Sequence, residues 1–154
     1  MKKSRFLLLI TGLLAVVILA GCAMGPRAES VPGVSADGST IYVAYKQHIY
    51  KLNGGDGVQV WRYPEKPSAQ IVMYAAPVIE GDSIYFGDLT NKFKELDANT
   101  AQPKWEYTGA KGWFQAKAAI ADGTIVAPNS DRNVYGLNMD GTLKWTYKSE
   151  FAFV

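Results

Sequence analysis

An all-β chain is predicted: a β-propeller built of four-stranded antiparallel blades, with three blades present. Three observations carry this expectation. A unit is written three times and closes each time on Trp-x-Tyr, at Trp61-Arg62-Tyr63, Trp105-Glu106-Tyr107 and Trp145-Thr146-Tyr147, with the tryptophans 44 and 40 residues apart; a period near 40 marks stacked supersecondary units that bury their faces only against neighbours. Short runs of Ile, Val, Tyr, Phe and Trp fill each unit, as a pleated, half-buried surface favours. After Cys22 no stretch keeps apolar residues at helical spacing for long, and Gly or Pro interrupts about every ten residues.

Each unit divides into strands in the same order. A first strand is expected at Ala76-Pro77-Val78-Ile79 in the second copy and Ala118-Ala119-Ile120-Ala121 in the third. An acidic-Gly turn follows. Asp37-Gly38-Ser39-Thr40-Ile41-Tyr42-Val43 matches Glu80-Gly81-Asp82-Ser83-Ile84-Tyr85-Phe86, and Asp122-Gly123-Thr124-Ile125-Val126 matches both with one residue deleted in the turn. The third strand ends alike at Leu52-Asn53, Leu96-Asp97 and Leu137-Asn138, and the Trp-x-Tyr run is the fourth. Strands of about five residues are the usual length. The organisation expected is residues 1–21 as a leader, 22–35 as a linker with the first strand, and repeats at about 36–73, 74–115 and 116–154.

The N-terminus alone reads as helical. Lys2, Lys3 and Arg5 precede an almost wholly apolar stretch, residues 6–18, and then Leu19-Ala20-Gly21-Cys22. This is the layout of a secretory signal, and its ending resembles the lipobox of bacterial lipoproteins. The resemblance implies cleavage before Cys22, diacylglycerol on its sulfur and acylation of its amino group; several acyl chains give stable anchoring. An uncleaved membrane anchor is the alternative, since the apolar run approaches the lower limit for a span. Ala23 is not the Asp that retains lipoproteins at the inner membrane in enteric-type sorting, so an outer-membrane site is allowed.

Processing changes the charge. The formal net charge is +2, and removing the three positive residues of the leader leaves −1. No basic stripe remains to neutralise phosphates, so nucleic-acid binding is not expected. Cys22 is the only cysteine, so no disulfide forms within the folded part.

The repeat itself resembles the pyrroloquinoline-quinone (PQQ) type β-propeller repeat, on Ala76-Pro77-Val78-Ile79-Glu80-Gly81-Asp82-Ser83-Ile84-Tyr85-Phe86-Gly87 followed by Leu96-Asp97-Ala98-Asn99-Thr100-Ala101-Gln102-Pro103-Lys104-Trp105. The family form has Gly where Ala101 stands. The first copy keeps Leu52-Asn53-Gly54 with Gly57 and Trp61, and the third keeps Leu137-Asn138 with Gly141 and Trp145. The resemblance covers about residues 29–154 and implies that Trp61, Trp105 and Trp145, with Tyr63, Tyr107 and Tyr147, are blade-seam residues. Members that are quinone-dependent dehydrogenases have an adjacent Cys pair, a Glu and Asn that help hold calcium, and a catalytic Asp. None of these constellations can be placed here, so no catalytic, cofactor-binding or metal-binding residue and no cofactor is expected.

Other polar residues read as structural. Asp37, Glu80 and Asp122 precede the Gly of a hairpin, where such pairs serve backbone geometry. His48, the only histidine, is expected at a strand edge in a surface or turn role. Asp88 and Asn91, and Asp131 and Asn133, occupy equivalent loops, as Asx turns or as oxygen ligands for calcium. Gly54-Gly55-Asp56-Gly57 reads as a hairpin turn, without the Lys of a phosphate loop. Trp113-Phe114 is expected either buried in a strand or exposed as a contact patch at the rim.

Three units alone leave two sheet faces unpaired, and residues 151–154 fall where a next unit's first strand is expected. A fragment of a longer propeller, or a partial propeller that self-assembles, is therefore expected. For function, the chain resembles the lipoprotein component of the outer-membrane β-barrel assembly machinery, which implies a lipid-anchored extracytoplasmic scaffold in the cell envelope that binds a protein partner, the machine's central subunit. The alternative is part of a PQQ-dependent oxidoreductase or of a small-ligand-binding sensor propeller.

Overall fold

The computed structural model describes residues 31–153. The expected leader, Cys22 and the helical reading of the N-terminus lie outside them.

All regular structure among the described residues is β: β1 (Gly33–Asp37), β2 (Thr40–Tyr45), β3 (His48–Asn53), β4 (Gln59–Tyr63), β5 (Val78–Glu80), β6 (Ser83–Gly87), β7 (Phe93–Asp97), β8 (Pro103–Tyr107), β9 (Ala119–Ala121), β10 (Thr124–Pro128), β11 (Asn133–Asn138) and β12 (Leu143–Lys148). They form three sheets, each of four antiparallel strands in sequence order: β1 to β4, β5 to β8 and β9 to β12. Three propeller blades result. The first strands converge: Gly33 lies so close to Ala76 that a Cβ on it would sit 2.2 Å from the Ala76 nitrogen, the Ser35 hydroxyl donates to Pro77 O (2.5 Å), and Lys117 reaches Ser35 from just before β9 (3.4 Å).

Two hydrophobic cores lie at the seams. Between blades 1 and 2, Tyr42, Ala44, Ile49 and Met73 meet Ile84, Phe86 and Leu96. Between blades 2 and 3, Tyr85, Phe93 and Phe114 meet Ile125, Ala127, Tyr135 and Leu137. Blade 2 is covered on both faces, so β6 is buried along its whole length. Continuous burial of a strand follows from two covered faces, alternation from one. On β12 every residue is exposed.

The repeat aligns differently from the sequence reading at one turn. The first hairpins pair Asp37 with Thr40, Glu80 with Ser83 and Ala121 with Thr124, so all three loops have the same length and no residue is deleted. Asp122 stands where Gly38 and Gly81 stand, and all three have positive φ: 48°, 55° and 56°. Asp tolerates the left-handed region because its short side chain bonds locally, and Asp-Gly suits a turn that needs two such residues; Gly123 supplies the second at 65°. The shortening lies instead between β11 and β12. There Asn138 N–H donates to Thr142 O, whereas in blade 2 Asp97 N–H donates to Gln102 O.

Candidate functional site

The Trp-x-Tyr residues sit on the fourth strand of each blade. The Trp61 indole N–H donates to Ala98 O of blade 2 (3.2 Å), and the Trp105 indole N–H donates to Met139 O of blade 3 (3.0 Å). Tyr63 meets Phe86 edge-on at 6.1 Å between centroids, and Tyr107 packs on Tyr135 at 5.5 Å. Trp145 covers Gly136 but is 40 % exposed, and Tyr147 is 62 % exposed. Each indole that has a following blade finds a carbonyl one residue beyond the Leu-Asx end of the third strand. A large ring with one polar edge suits that dual demand.

Antiparallel order puts two different sets of loops on the two rims. One rim carries only tight turns. The other carries the blade-to-blade connectors and the loops between second and third strands, and it holds the most elaborate cluster of the molecule, at the junction of blades 2 and 3. Residues 108–118, connecting β8 to β9, are zipped to loop 129–132. Lys111 N–H donates to Asp131 Oδ2 (2.9 Å), Asn129 Nδ2–H to Gly112 O (2.8 Å), Trp113 N–H to Ser130 Oγ (2.7 Å) and Ser130 N–H to Trp113 O (3.0 Å). Gly112 is required by proximity: a Cβ there would lie 2.6 Å from Asn129 Oδ1 and from Asp131 N.

This connector separates the Trp113-Phe114 pair, and neither residue lies in a strand. Phe114 is fully buried between Phe93 and Tyr135 (5.3 and 6.1 Å), in space left by Gly87, where a Cβ would collide with its ring. Its N–H donates to Asp88 O (3.2 Å). Trp113 turns the other way and is 48 % exposed. The first connector repeats the device: Met73 N–H donates to Lys46 O, Leu89 N–H donates to Val72 O, and Met73 is buried as Phe114 is. Val72 therefore stands where Trp113 stands.

The loop acids build turns. Buried Asp88 accepts from Thr90 N–H (2.7 Å) and Thr90 Oγ1–H (2.6 Å) and pairs with buried Lys94 at 2.8 Å; Lys94 also lies 3.6 Å from Glu106. The register aligns these two equivalent loops residue by residue. Asp88 N–H donates to Lys92 O as Asn129 N–H donates to Asn133 O, so Asp88 corresponds to Asn129, and Asn91 (φ 65°) to Arg132 (φ 73°). Asn129 was missed because nothing distinguishes a buried Asx-turn Asn from a surface one before pairing is known. Asp131 accepts from Asn133 N–H (3.0 Å) and Tyr135 O–H (2.6 Å). Burial opposes its charge, but the bonds from Tyr135, Lys111 and Asn133 outweigh it and hold its carboxyl below the usual range. Burial, then the bond to Asp131, raises the Tyr135 hydroxyl.

His48 differs from its expected surface role. It opens β3, is buried, donates from Nδ1 to Pro64 O (2.8 Å) and packs on Tyr50 at 5.5 Å. A connector carbonyl needing a donor draws it inward. Among the described residues no three His, Cys, Asp or Glu side chains gather as a metal site.

A sequence model of the family described as outer membrane protein assembly factor BamB matches residues 27–112 and again 74–150. The chain belongs to the BamB family. The offset double match is what tandem blades produce. Among solved structures, BamB from Moraxella catarrhalis is similar with TM-score 0.62 and 23 % identity over 79 % of this chain and 38 % of that one. A quinohemoprotein alcohol dehydrogenase from Pseudomonas putida HK5 is similar with TM-score 0.67 and 18 % identity, over 79 % of this chain and 20 % of that one. A europium-containing methanol dehydrogenase gives 0.65 and 18 %, over 76 % and 24 %. These likenesses show the propeller fold, shared by a non-enzyme and by enzymes. This chain spans 38 % of the length of the BamB structure. No curated protein sequence matches it.

The residues present do not fit a quinone site of the dehydrogenase kind. The chain's single cysteine forbids a Cys pair, and Asp88, Asp97, Asp131 and Asp140 are engaged as turn acceptors.

Proposed function

We propose that this BamB-family chain is a lipid-anchored extracytoplasmic scaffold that docks a protein partner during outer-membrane protein assembly. The observation that carries it is Trp113, a half-exposed indole on a connector held by four hydrogen bonds to loop 129–132. Holding a large ring outside the fold leaves apolar area uncovered, and the backbone that presents it is rigid. Such pre-organised aromatics supply the centre of protein interfaces. The lipobox supports the anchor at Cys22, placing the chain on the extracytoplasmic side of the envelope, on the outer membrane where the organism has one.

The partner that the resemblance implies is the central subunit of the β-barrel assembly machinery. Titrating that subunit from the same organism with the full chain in detergent should give saturable binding, weakened at least ~10-fold by Trp113→Ala with an unchanged melting temperature. No binding by the wild-type chain sinks the scaffold reading. The anchor is checked by the mass of the N-terminal peptide, where an unmodified Cys22 or an intact Met1 ends it. A saturable rise in melting temperature on adding PQQ and calcium would favour the oxidoreductase reading instead.

A further inference from the structure

Given the docking role of Trp113, on which this rests, we propose that the partner presents an acidic segment to the indole, with Lys111 and Arg132 as its counter-charges. The near-zero net charge of the mature chain hides a division between the two rims. On the tight-turn rim Asp37, Asp56, Glu80, Asp82, Asp122 and Asp140 are all exposed. The connector rim exposes Lys46, Lys66, Lys111, Lys117 and Arg132. Turn chemistry accounts for the acidic side, since Asp-Gly and its relatives build hairpins. It does not account for Arg132, which holds a left-handed position (φ 73°) where the equivalent loop of blade 2 uses Asn91 (φ 65°), a residue far better suited to that region.

The two cations stand on the same pair of backbone segments that fixes Trp113. Lys111 N–H is tied to Asp131 Oδ2 (2.9 Å), and Arg132 donates its N–H to Asn129 O (3.3 Å) and accepts from Ser149 N–H (2.7 Å). Asp131, the acid of this loop, also accepts from Asn133 N–H, Asn133 Nδ2–H and Tyr135 O–H, so its carboxylate is satisfied within the turn. Neither Lys111 nor Arg132 forms an ion pair among the described residues, whereas Lys92, Lys94 and Lys104 of blade 2 each pair with a carboxylate. Two exposed cations beside an exposed, rigidly held indole match a segment that brings carboxylates and an apolar residue together. A bilayer matches less well, because the first connector has Val72 in the place of Trp113 and a single ring would enter the lipid. Charges around an anchor act on the rate of encounter and on partner choice, and the acidic rim opposite repels the same segment, so the encounter is oriented. Both blades that build the patch have all four strands, so it forms whatever adjoins blades 1 and 3.

Fluorescence anisotropy with the full chain in detergent tests this, using two synthetic peptides that carry an uncharged dye: glutamates around a central Leu-Phe pair, and a twin with glutamine for every glutamate. The wild type should bind the glutamate peptide at least ~10-fold tighter than the twin at low salt, and the preference should fade as salt rises. Lys111→Glu with Arg132→Glu should abolish the preference, and Lys144→Glu, exposed on the opposite rim, should leave it unchanged. Circular dichroism melts establish that each variant is folded; Lys111→Gln with Arg132→Gln replaces the glutamate pair should that one unfold. Equal affinity of the wild type for the two peptides overturns the proposal, as does a loss with Lys144→Glu as large as with the rim pair. If the wild type ignores the difference between peptides but exceeds the rim pair in preferring phosphatidylglycerol vesicles to phosphatidylcholine ones, the patch belongs to the bilayer and the proposal falls. A chain that binds the central subunit without preferring the glutamate peptide keeps the scaffold reading and overturns the acidic segment. One that prefers the glutamate peptide and does not bind the subunit upholds the acidic segment and removes that partner.

Discussion

Blades 2 and 3 are written in nearly the same pattern, yet on the fourth strand Trp105 and Tyr107 of β8 are half-buried while β12 is exposed from Leu143 to Lys148. The same chemical choice, a Trp two residues before a Tyr, is a half-buried seam anchor in one and a solvent-facing ring in the other. Trp105 is clamped between Tyr85 and Phe93, at 6.0 and 6.4 Å, and tied to Met139. Trp145 has the glycine beneath it and, among the described residues, no sheet above. Residue type in a repeat fixes what a side chain can do, and the neighbouring unit decides what it contributes, as nearest-neighbour coupling requires.

Mutating the two tryptophans measures that contribution directly. Trp105→Ala removes a ring enclosed by two aromatics and leaves the Met139 carbonyl unpaired, and should cost about 3–5 kcal/mol of unfolding free energy. Trp145→Ala should cost less than about 1 kcal/mol, as an exposed site does. Urea unfolding of each variant checks it; equal losses would mean that the outer face of blade 3 is covered in solution.

Asp88 gives the next largest effect. Asp88→Ala strands Lys94, 7 % exposed, at the first seam and unties the turn at Thr90. Breaking a buried pair costs 3–5 kcal/mol in general, and Glu106 at 3.6 Å offers Lys94 a fallback, so about 3 kcal/mol is expected. Its counterpart at the second seam is neutral Asn129, and Asn129→Ala should cost less, about 1–2 kcal/mol, by loss of two hydrogen bonds without a stranded charge. A larger loss at Asn129 than at Asp88 would overturn this ranking.

The rim lock at Asp131 should show as pH dependence. Its folded carboxyl titrates below the usual value, so the unfolded chain takes up its proton first as pH falls. The stabilisation is present above the unfolded pKa of about 3.9 and is lost as pH drops through the folded value. Asp131→Asn should flatten the acid limb of the stability curve by about 1 kcal/mol and leave neutral-pH behaviour of the first seam unchanged. An unaltered acid limb would remove Asp131 from the lock.

How much of this could be read before folding follows from how local each feature is. Strand order and blade number came from period and composition, because a four-stranded meander is specified by its own turns. The seam role of the tryptophans came only through resemblance, since Ala98 and Met139 are 37 and 34 residues away in sequence. His48 was misread because its partner, Pro64 O, lies on a connector that carries no pattern. Trp113 and Phe114 are adjacent apolar residues, and sequence cannot tell which turns inward; Gly87, which leaves room for Phe114, is what decides it. The Asp122 turn was misaligned because Asp-Gly was matched on its glycine, whereas the backbone matches on the first positive φ.

Ala101 offers the smallest and most local change, and it bears on the first seam alone. The turn between third and fourth strands needs a left-handed residue, at φ 72° for Gly57 and 83° for Gly141, and blade 2 meets that need with Ala101 at 61°. Its N–H still donates to Asp97 O (2.9 Å), so the turn forms despite the strain on Cβ. An L-residue in this region costs about 1–2 kcal/mol, and glycine returns part of that as unfolded-chain entropy, about 0.5–1 kcal/mol. Ala101→Gly should therefore stabilise by about 0.5–1 kcal/mol. At Gly141 the constraint is stronger, because a Cβ there would lie 2.5 Å from the Trp105 ring, whereas blade 2 accommodates a methyl in the groove beside Trp61. If Ala101→Gly destabilises, the methyl is packed against Trp61 by more than its backbone strain, and the two seams differ in how tightly the tryptophan is seated rather than in whether it is.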